Sequence, residues 1–338
     1  MILAAGLSPA WQQIITLDAL QLGEVNRARE VQWCASGKVL NVGLALHCLA
    51  GRSAREEGTN SKFQIENCKF QIGAAGAAAR TLAVVGGLTG EAIRREFADL
   101  GVSARWIETN SPTRVCTTLL AGTAGATTEL VENARPITKV ELDHFREAYY
   151  EEATSADVVV LTGSFPAGTP PTFYRDLLAR TPGRVVLDAQ GEPLLAALES
   201  CPFVVKPNRE ELGRTLGRTL ATDDLLHAAM HEVCRRGANW VVVSQGKDRV
   251  WIGSEREILS VTPPQVAVVN PIGCGDCLAA GIAVALARGE DVAASVQNGM
   301  AAAADNVGRL LPARLDRHRV EELRQNIRIE GHWQPACE

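Results

Sequence analysis

Residues 268–276 read Val268-Val269-Asn270-Pro271-Ile272-Gly273-Cys274-Gly275-Asp276, and an alanine-rich stretch with helical spacing follows directly. The two glycines allow the backbone to turn tightly just before the helix. The amide N–H groups of residues 273–276 then point out of a helix N-terminus, an arrangement that binds anions. The segment therefore predicts an anion site, with Gly273, Cys274, Gly275 and Asp276 as candidate catalytic residues.

Asp276 is the candidate general base of this site. The positive end of a helix dipole favours a negative charge, so we expect Asp276 to stay ionised and to be a base of ordinary strength. It could accept the proton of an attacking hydroxyl beside a bound phosphate. Phosphoryl transfer asks little more of a protein than positioning and charge neutralisation. The alternative interpretation is that Asp276 only caps the helix.

Outward from this segment, short runs rich in Val, Ile and Leu alternate with longer helical patterns. Each such run precedes a turn signal and a helical stretch, and the runs cover residues 158–161, 184–187, 203–205 and 240–243. Helical patterns cover residues 138–153, 209–216, 222–236, 278–287 and 292–304. This alternation is typical of an α/β fold in which helices surround a parallel sheet.

Two regions depart from the alternation, and a third looks inserted. Residues 11–33 and 113–131 contain short extended runs with alternating polar residues, which predict a small β-layer, or lid, beside the main sheet. Residues 52–78 contain Lys62-Phe-Gln-Ile and Lys69-Phe-Gln-Ile in polar surroundings. We interpret this stretch as an insertion loop in preference to a binding element, because surface loops tolerate added residues.

Composition narrows the class of protein. The 338 residues are 46% hydrophobic and 22% charged, with a net charge of −5. No run of Lys or Arg is long enough to follow a nucleic-acid backbone, and no segment has the roughly 20 apolar residues of a membrane helix. Nine cysteines at irregular spacing favour reduced thiols in a cytoplasmic protein over a disulfide framework or a zinc site.

At residues 268–276 the chain resembles the ribokinase-like (phosphofructokinase B) carbohydrate kinase family, in particular its branch of 1-phosphofructokinase and tagatose-6-phosphate kinase. That branch carries the signature Val-Val-Asn-Pro-(Val/Ile)-Gly-X-Gly-Asp. The resemblance implies a single three-layer α/β/α domain over residues 1–338, with a mostly parallel central sheet and a β-sheet lid. It also implies ATP and Mg²⁺ as cofactors, a phosphorylated ketose as substrate and a homodimer formed through the lid.

The resemblance also implies a set of substrate-binding residues. Ser36-Gly37-Lys38-Val39-Leu40-Asn41 is similar to the family's substrate turn, so Gly37, Lys38 and Asn41 are expected to contact the sugar. The remaining candidates are Arg114 in a Thr-Arg segment, Ser164 in Thr-Gly-Ser-Phe-Pro, and Arg27 at a basic position of the same branch. A guanidinium such as that of Arg114 suits a dianionic phosphate.

Nucleotide and metal residues follow from three further similarities. Lys206-Pro207-Asn208-Arg209-Glu210-Glu211 matches the family's Lys-Pro-Asn-X-X-Glu, which implies that Asn208 and Glu211 help to hold magnesium and the triphosphate. Oxygen donors of this kind suit Mg²⁺, although the same residues could also cap a helix. Ser244 and Gly246 resemble a Ser-X-Gly segment that lines the nucleotide, and Asn298 lies where the family covers the adenine.

One departure from the family pattern leaves the substrate open. Relatives carry an aspartate for sugar hydroxyls near the first strand, where this chain has Trp11 and Gln12, and we take Gln12 as the candidate replacement. The alternatives are a weakly active or inactive sugar-phosphate or nucleotide sensor, and a kinase for a different small sugar. A dinucleotide-dependent oxidoreductase is disfavoured, because no GxGxxG follows the first strand.

Overall fold

The computed structural model describes residues 1–50, 78–122 and 126–333. The strands are β1 Ile2–Gly6, β2 Ala10–Leu17, β3 Glu30–Ser36, β4 Ala79–Val85, β5 Ala104–Glu108, β6 Val115–Ala121, β7 Ala126–Val131, β8 Val158–Thr162, β9 Arg184–Asp188, β10 Val204–Val205, β11 Trp240–Val243, β12 Val250–Gly253, β13 Ile258–Val261 and β14 Ile329–Trp333. The helices are α1 Lys38–Ala50, α2 Gly87–Asp99, α3 Lys139–Ala153, α4 Phe173–Leu178, α5 Glu192–Ala197, α6 Arg209–Thr215, α7 Asp223–Arg235, α8 Cys274–Ala287, α9 Val292–Val307 and α10 Arg317–Gln325.

The main sheet has ten strands in the order β14-β13-β12-β11-β10-β9-β8-β1-β4-β5. The strands from β11 to β5 in this order pair in parallel, whereas β12, β13 and β14 extend one edge in antiparallel fashion. The predicted mostly parallel α/β sheet is confirmed. The antiparallel edge was not predicted.

Helices cover both faces of this sheet, which completes the three-layer α/β/α fold. In β1, Ile2 and Ala4 pack into the hydrophobic core on one face, and Leu3 and Ala5 pack into the core on the other. All four side chains are fully buried. This two-sided burial explains why the strands of the parallel region are continuous apolar runs without polar alternation.

The alanine-rich helices α8 and α9 pack closely on one face of the sheet. A methyl group added at Gly281 would lie 2.6 Å from the Cα of Gly299, so the two backbones meet where neither residue has a side chain. This close approach fixes the position of α8, whose first turn carries the predicted anion site.

The predicted lid is confirmed as a separate four-stranded sheet in the order β3-β2-β6-β7. In it β2 and β6 run parallel, and β3 and β7 pair in antiparallel fashion at the two edges. The predicted insertion at 52–78 lies outside the described residues except for Ala78. In the part of the chain that the structure describes, no helix is long and apolar enough to span a membrane.

Candidate active site

The segment 268–276 forms a turn that ends at the N-terminus of α8. Gly273 is the N-cap, and its φ of +82° lies in the left-handed region that glycine adopts readily. A methyl group at this position would also lie 3.1 Å from the Cβ of Pro312. The backbone amides of Gly275 and Asp276 have no hydrogen-bond acceptor among the described residues. These amides are therefore available to an anion.

A buried asparagine holds this turn in place. The side chain of Asn306 is fully buried; its Nδ2 donates to the carbonyl of Ile272 at 2.8 Å and to the Sγ of Cys274 at 3.3 Å. Its Oδ1 accepts from the amide of Ala313 at 2.6 Å. Asn306 thus connects the turn to the segment that follows α9.

Asp276 lies in the first turn of α8 and is only 7% exposed. Its Oδ2 accepts a hydrogen bond of 2.8 Å from the side-chain amide of Asn41 in α1. Burial, together with the negative charge of Asp188, raises the pKa of Asp276 from 3.8 to about 7, although Lys38, Asn41 and Lys206 oppose the rise. The expectation of an ordinary, fully ionised aspartate is therefore wrong, because desolvation outweighs the helix dipole.

A buried charge network lies next to Asp276. Asp188 ends β9 and is 1% exposed; its two oxygens lie 3.0 Å from the ammonium of Lys38 and 3.4 Å from that of Lys206. Burial alone would raise the pKa of Asp188, but Lys206 and Lys38 outweigh it and lower the pKa. Burial alone would likewise lower the pKa of Lys38, but Asp188, Glu211 and Asp276 raise it. Lys38 is therefore held as a cation.

Asn208 and Glu211 form a reciprocal cap at the N-terminus of α6. The side chain of Asn208 accepts from the amide of Glu211 at 2.8 Å, and the Oε2 of Glu211 accepts from the amide of Asn208 at 2.8 Å. The other oxygen of Glu211, Oε1, lies 3.8 Å from the ammonium of Lys38. The Glu211 carboxylate therefore joins the helix cap to the charge network. Ser244 forms an isolated parallel β-bridge with Asn208.

The lid contributes Gln12 and Arg114. The side-chain amide of Gln12 donates to the hydroxyl of Thr118 at 2.7 Å. The guanidinium of Arg114 donates to the carbonyls of Ser8, Pro9 and Glu132 and, at 3.4 Å, to the hydroxyl of Ser8. Arg114 is thus anchored to the backbone at the edge of the lid.

These groups surround one cleft of about 450 Å³ between the lid and the carboxyl ends of the parallel strands. The sequence-predicted residues that line it are Gln12, Gly37, Lys38, Asn41, Arg114, Asn208, Glu211, Ser244, Gly246, Gly273, Cys274, Gly275 and Asp276. Ligands of open parallel sheets bind at this end of the strands.

A family profile decides the relationship. The model of the "pfkB family carbohydrate kinase" family matches residues 67–314, which is most of the chain. The chain belongs to the PfkB family. It is therefore an ATP-dependent carbohydrate kinase.

Solved structures agree with the fold of this PfkB kinase. A possible 1-phosphofructokinase from Thermotoga maritima superposes with a TM-score of 0.83 at 19% identity, covering 98% of this chain and 100% of that one. Phosphofructokinase-2 from Escherichia coli, in complex with fructose-6-phosphate, gives 0.80 at 22% identity and covers 96% of this chain and 99% of that one. Ribokinase from Thermotoga maritima gives 0.71 at 19% identity, covering 96% and 100%.

Three of the predicted residues do not line the cleft of the PfkB kinase. Arg27 is exposed in the connection between β2 and β3. Asn298 is 4% exposed and donates to the carbonyl of Gly281 at 2.8 Å, so it joins α9 to α8. The hydroxyl of Ser164 lies 3.1 Å from that of Ser8, which in turn accepts from Arg114, so Ser164 borders the site through other residues.

Sequence reasoning also missed two buried residues of the PfkB site, Asp188 and Lys206. Both directly follow the apolar run of a parallel strand, β9 and β10, and a polar residue in that position was the signal that could have identified them. Glu129 of β7 also lines the cleft and was missed. It lies inside a strand, without a motif around it.

Proposed function

We propose that this kinase transfers the γ-phosphoryl group of ATP to a free hydroxyl of a phosphorylated ketose, with Asp276 as general base. The supporting observation is the position of Asp276. Its buried carboxyl has a pKa of about 7 and adjoins two backbone amides that have no acceptor among the described residues. It shares the cleft with the ammonium groups of Lys38 and Lys206. A base with a pKa near the working pH is well matched to proton transfer from a hydroxyl.

The amides of Gly275 and Asp276 would receive the migrating phosphoryl group. A methyl group added at Gly275 would lie 3.5 Å from the ammonium of Lys206. An anion bound next to Gly275 would therefore have backbone amides on one side and a cation on the other. Developing negative charge on the phosphoryl oxygens is stabilised by such fixed donors. Lys38, held by Asp188 and near Glu211, supplies a second positive charge.

The donor set of the cleft fits Mg²⁺ held chiefly by a nucleotide. Among the described residues, no group of three or more His, Cys, Asp or Glu side chains is arranged to hold a metal ion. Mg²⁺ in phosphoryl-transfer sites commonly takes one or two carboxylates, with phosphate oxygens and waters completing its shell. Glu211, with Asn208 beside it, would be the protein ligand. Bound Mg²⁺ would supply positive charge that offsets the negative charge of the nucleotide phosphates.

The acceptor is proposed from the charge of the cleft and from the relatives. Lys38 and Arg114 add positive charge to the cleft, which suits a substrate that already carries a phosphate. One relative is named as a possible 1-phosphofructokinase, and another was solved with fructose-6-phosphate. We therefore propose fructose 1-phosphate and tagatose 6-phosphate as the first substrates to test, followed by fructose 6-phosphate.

A coupled assay for ADP release tests the proposed function. The three ketose phosphates are compared with their unphosphorylated sugars at saturating ATP and Mg²⁺. We expect kcat/KM for at least one ketose phosphate to exceed that for its parent sugar by two orders of magnitude or more. Turnover of a neutral sugar in preference to every ketose phosphate would overturn the substrate class, and ATP binding without sugar-stimulated ADP release would favour a sensor.

We also propose that the lid forms a homodimer interface. Val31, Trp33 and Leu130 are large apolar side chains on lid strands, and they are 42%, 45% and 58% exposed. An exposed apolar sheet surface of this kind favours association with another protein surface. Analytical ultracentrifugation of the native chain and of a Trp33→Lys variant tests this: we expect a dimer that dissociates in the variant. A monomeric native chain at micromolar concentration would contradict it.

A further inference from the structure

Glu129 lies on the cleft-facing side of the lid. It is directly opposite Thr118 of β6 in the antiparallel pair, and residues opposite each other in a sheet project from the same face. Thr118 accepts the hydrogen bond from Gln12, and both Gln12 and Glu129 line the cleft. Glu129 is therefore placed above the same cavity that contains Asp276 and Lys38.

The carboxylate of Glu129 has no hydrogen-bond or ion-pair partner among the described residues, in contrast to the side chains of Gln12 and Arg114. Gln12 donates to Thr118, and Arg114 donates to backbone carbonyls and to Ser8. Glu132, three residues further along, accepts from the amide of Val115 at 3.1 Å.

The surroundings of Glu129 are those of a binding group. The residue is exposed at the rim of the cleft, yet burial raises the pKa of its carboxyl, and the positive charge of Arg114 partly reverses that rise. The carboxyl therefore lies among protein atoms that narrow its access to water. A carboxylate so placed gains most from a ligand that donates hydrogen bonds to it.

We propose that Glu129 determines specificity for the sugar by accepting hydrogen bonds from hydroxyl groups of the acceptor. Like charges repel, so the carboxylate would face the hydroxyl-bearing part of a ketose phosphate and not its phosphate group. The ammonium groups of Lys38 and Lys206, which attract phosphate, lie next to Asp188 at the ends of the parallel strands. The role assigned to Glu129 deepens the proposed function and rests on it.

The test compares Glu129→Gln with Glu132→Gln. Both remove one carboxylate charge from the same edge of the lid, but only Glu129 lines the cleft. A hydrogen bond to a charged acceptor is strong enough that its loss should raise the KM for the sugar acceptor about 10- to 100-fold. We expect the KM for ATP to change by less than about twofold in Glu129→Gln, and both constants to remain as in the native chain in Glu132→Gln. Unfolding temperatures of the two variants establish that both are folded.

Deoxy analogues of the acceptor identify the bond itself. With the native kinase, the analogue that lacks the contacted hydroxyl should be phosphorylated less efficiently than the full acceptor. With Glu129→Gln this difference in kcat/KM should be much smaller, because the charged acceptor of the hydrogen bond is already gone. The proposal is overturned if Glu129→Gln leaves the acceptor KM within twofold, or if every analogue loses as much in the variant as in the native chain. The comparison uses whichever sugar the native kinase phosphorylates, so a failure of the ketose-phosphate assignment is seen separately.

Discussion

The raised pKa of Asp276 predicts a pH dependence that an ordinary aspartate would not show. With a pKa of about 7 the ionised fraction of Asp276 falls from ~0.9 at pH 8 to ~0.01 at pH 5, so kcat/KM should fall about a hundredfold. With the ordinary value of 3.8 the fall over the same range would be less than about a tenth. The measurement is kcat/KM for the sugar at saturating ATP between pH 5 and pH 9.

A substrate phosphate titrates near pH 6 and could imitate such a profile, so a variant must separate the two. The negative charge of Asp188 raises the pKa of Asp276. Asp188→Asn removes that repulsion and leaves Lys38 and Lys206 to stabilise the ionised form of Asp276. The acid limb of the profile, in which kcat/KM falls as the pH is lowered, should therefore move to lower pH. The titration of the substrate is unchanged by the substitution.

The control for charge is Glu322→Gln, which removes one carboxylate from the exposed side of α10. Its profile should coincide with that of the native kinase. A native profile that stays level down to pH 5 would refute the buried, raised-pKa base. A limb that stays in place or moves to higher pH in Asp188→Asn would refute the electrostatic coupling between the two aspartates.

Three further substitutions test the site in other ways. Because the folded-state pKa of Asp276 is raised, its contribution to stability is present below pH 3.8 and is lost as the pH rises to about 7. Asp276→Asn should therefore raise the free energy of unfolding by up to about 4 kcal/mol at pH 8 and by less at pH 5, as measured by thermal unfolding. Gly273→Ala places a side chain at a φ of +82° and 3.1 Å from Pro312, so we expect kcat to fall by about tenfold or more, and an unchanged kcat would contradict the turn's role. Asn306→Ala leaves the carbonyl of Ile272 and the amide of Ala313 without their side-chain partner. The free energy of unfolding, measured by chemical denaturation, should fall by about 1–3 kcal/mol. The substitution should also lower kcat more than it lowers the affinity for ATP.

Much of the fold could be predicted from the sequence because its local signals agree with its tertiary structure. The run at 240–243 is β11 itself, and the pattern at 222–236 differs from α7 by one residue at each end because Thr222 is the N-cap and Arg236 is the C-cap. The antiparallel strands β12 to β14 were not predicted, since short runs such as Val250–Gly253 have the same apolar character as a parallel strand. Their direction is set by pairing with β11.

The parts of the candidate site that lie within one short segment could be predicted. The parts that depend on contacts between residues far apart in the sequence could not. Gly273 and Asp276 were visible together in a single turn. The ion pair of Lys38 with Asp188 joins residues 150 positions apart, and the pKa of Asp276 depends on that pair and on burial, so neither could be seen in a local pattern. Arg114 illustrates the same limit, because its carbonyl partners at Ser8 and Pro9 come from a segment more than 100 residues earlier.

Turnover and nucleotide binding measured side by side in Asp276→Asn test the central claim most directly. The substitution keeps the size of the side chain and its contact with Asn41 but removes the base, so we expect kcat to fall by several orders of magnitude while the Kd for ATP stays within about threefold of the native value. A variant that retains kcat within tenfold of the native kinase would show that the carboxyl of Asp276 does not accept the proton.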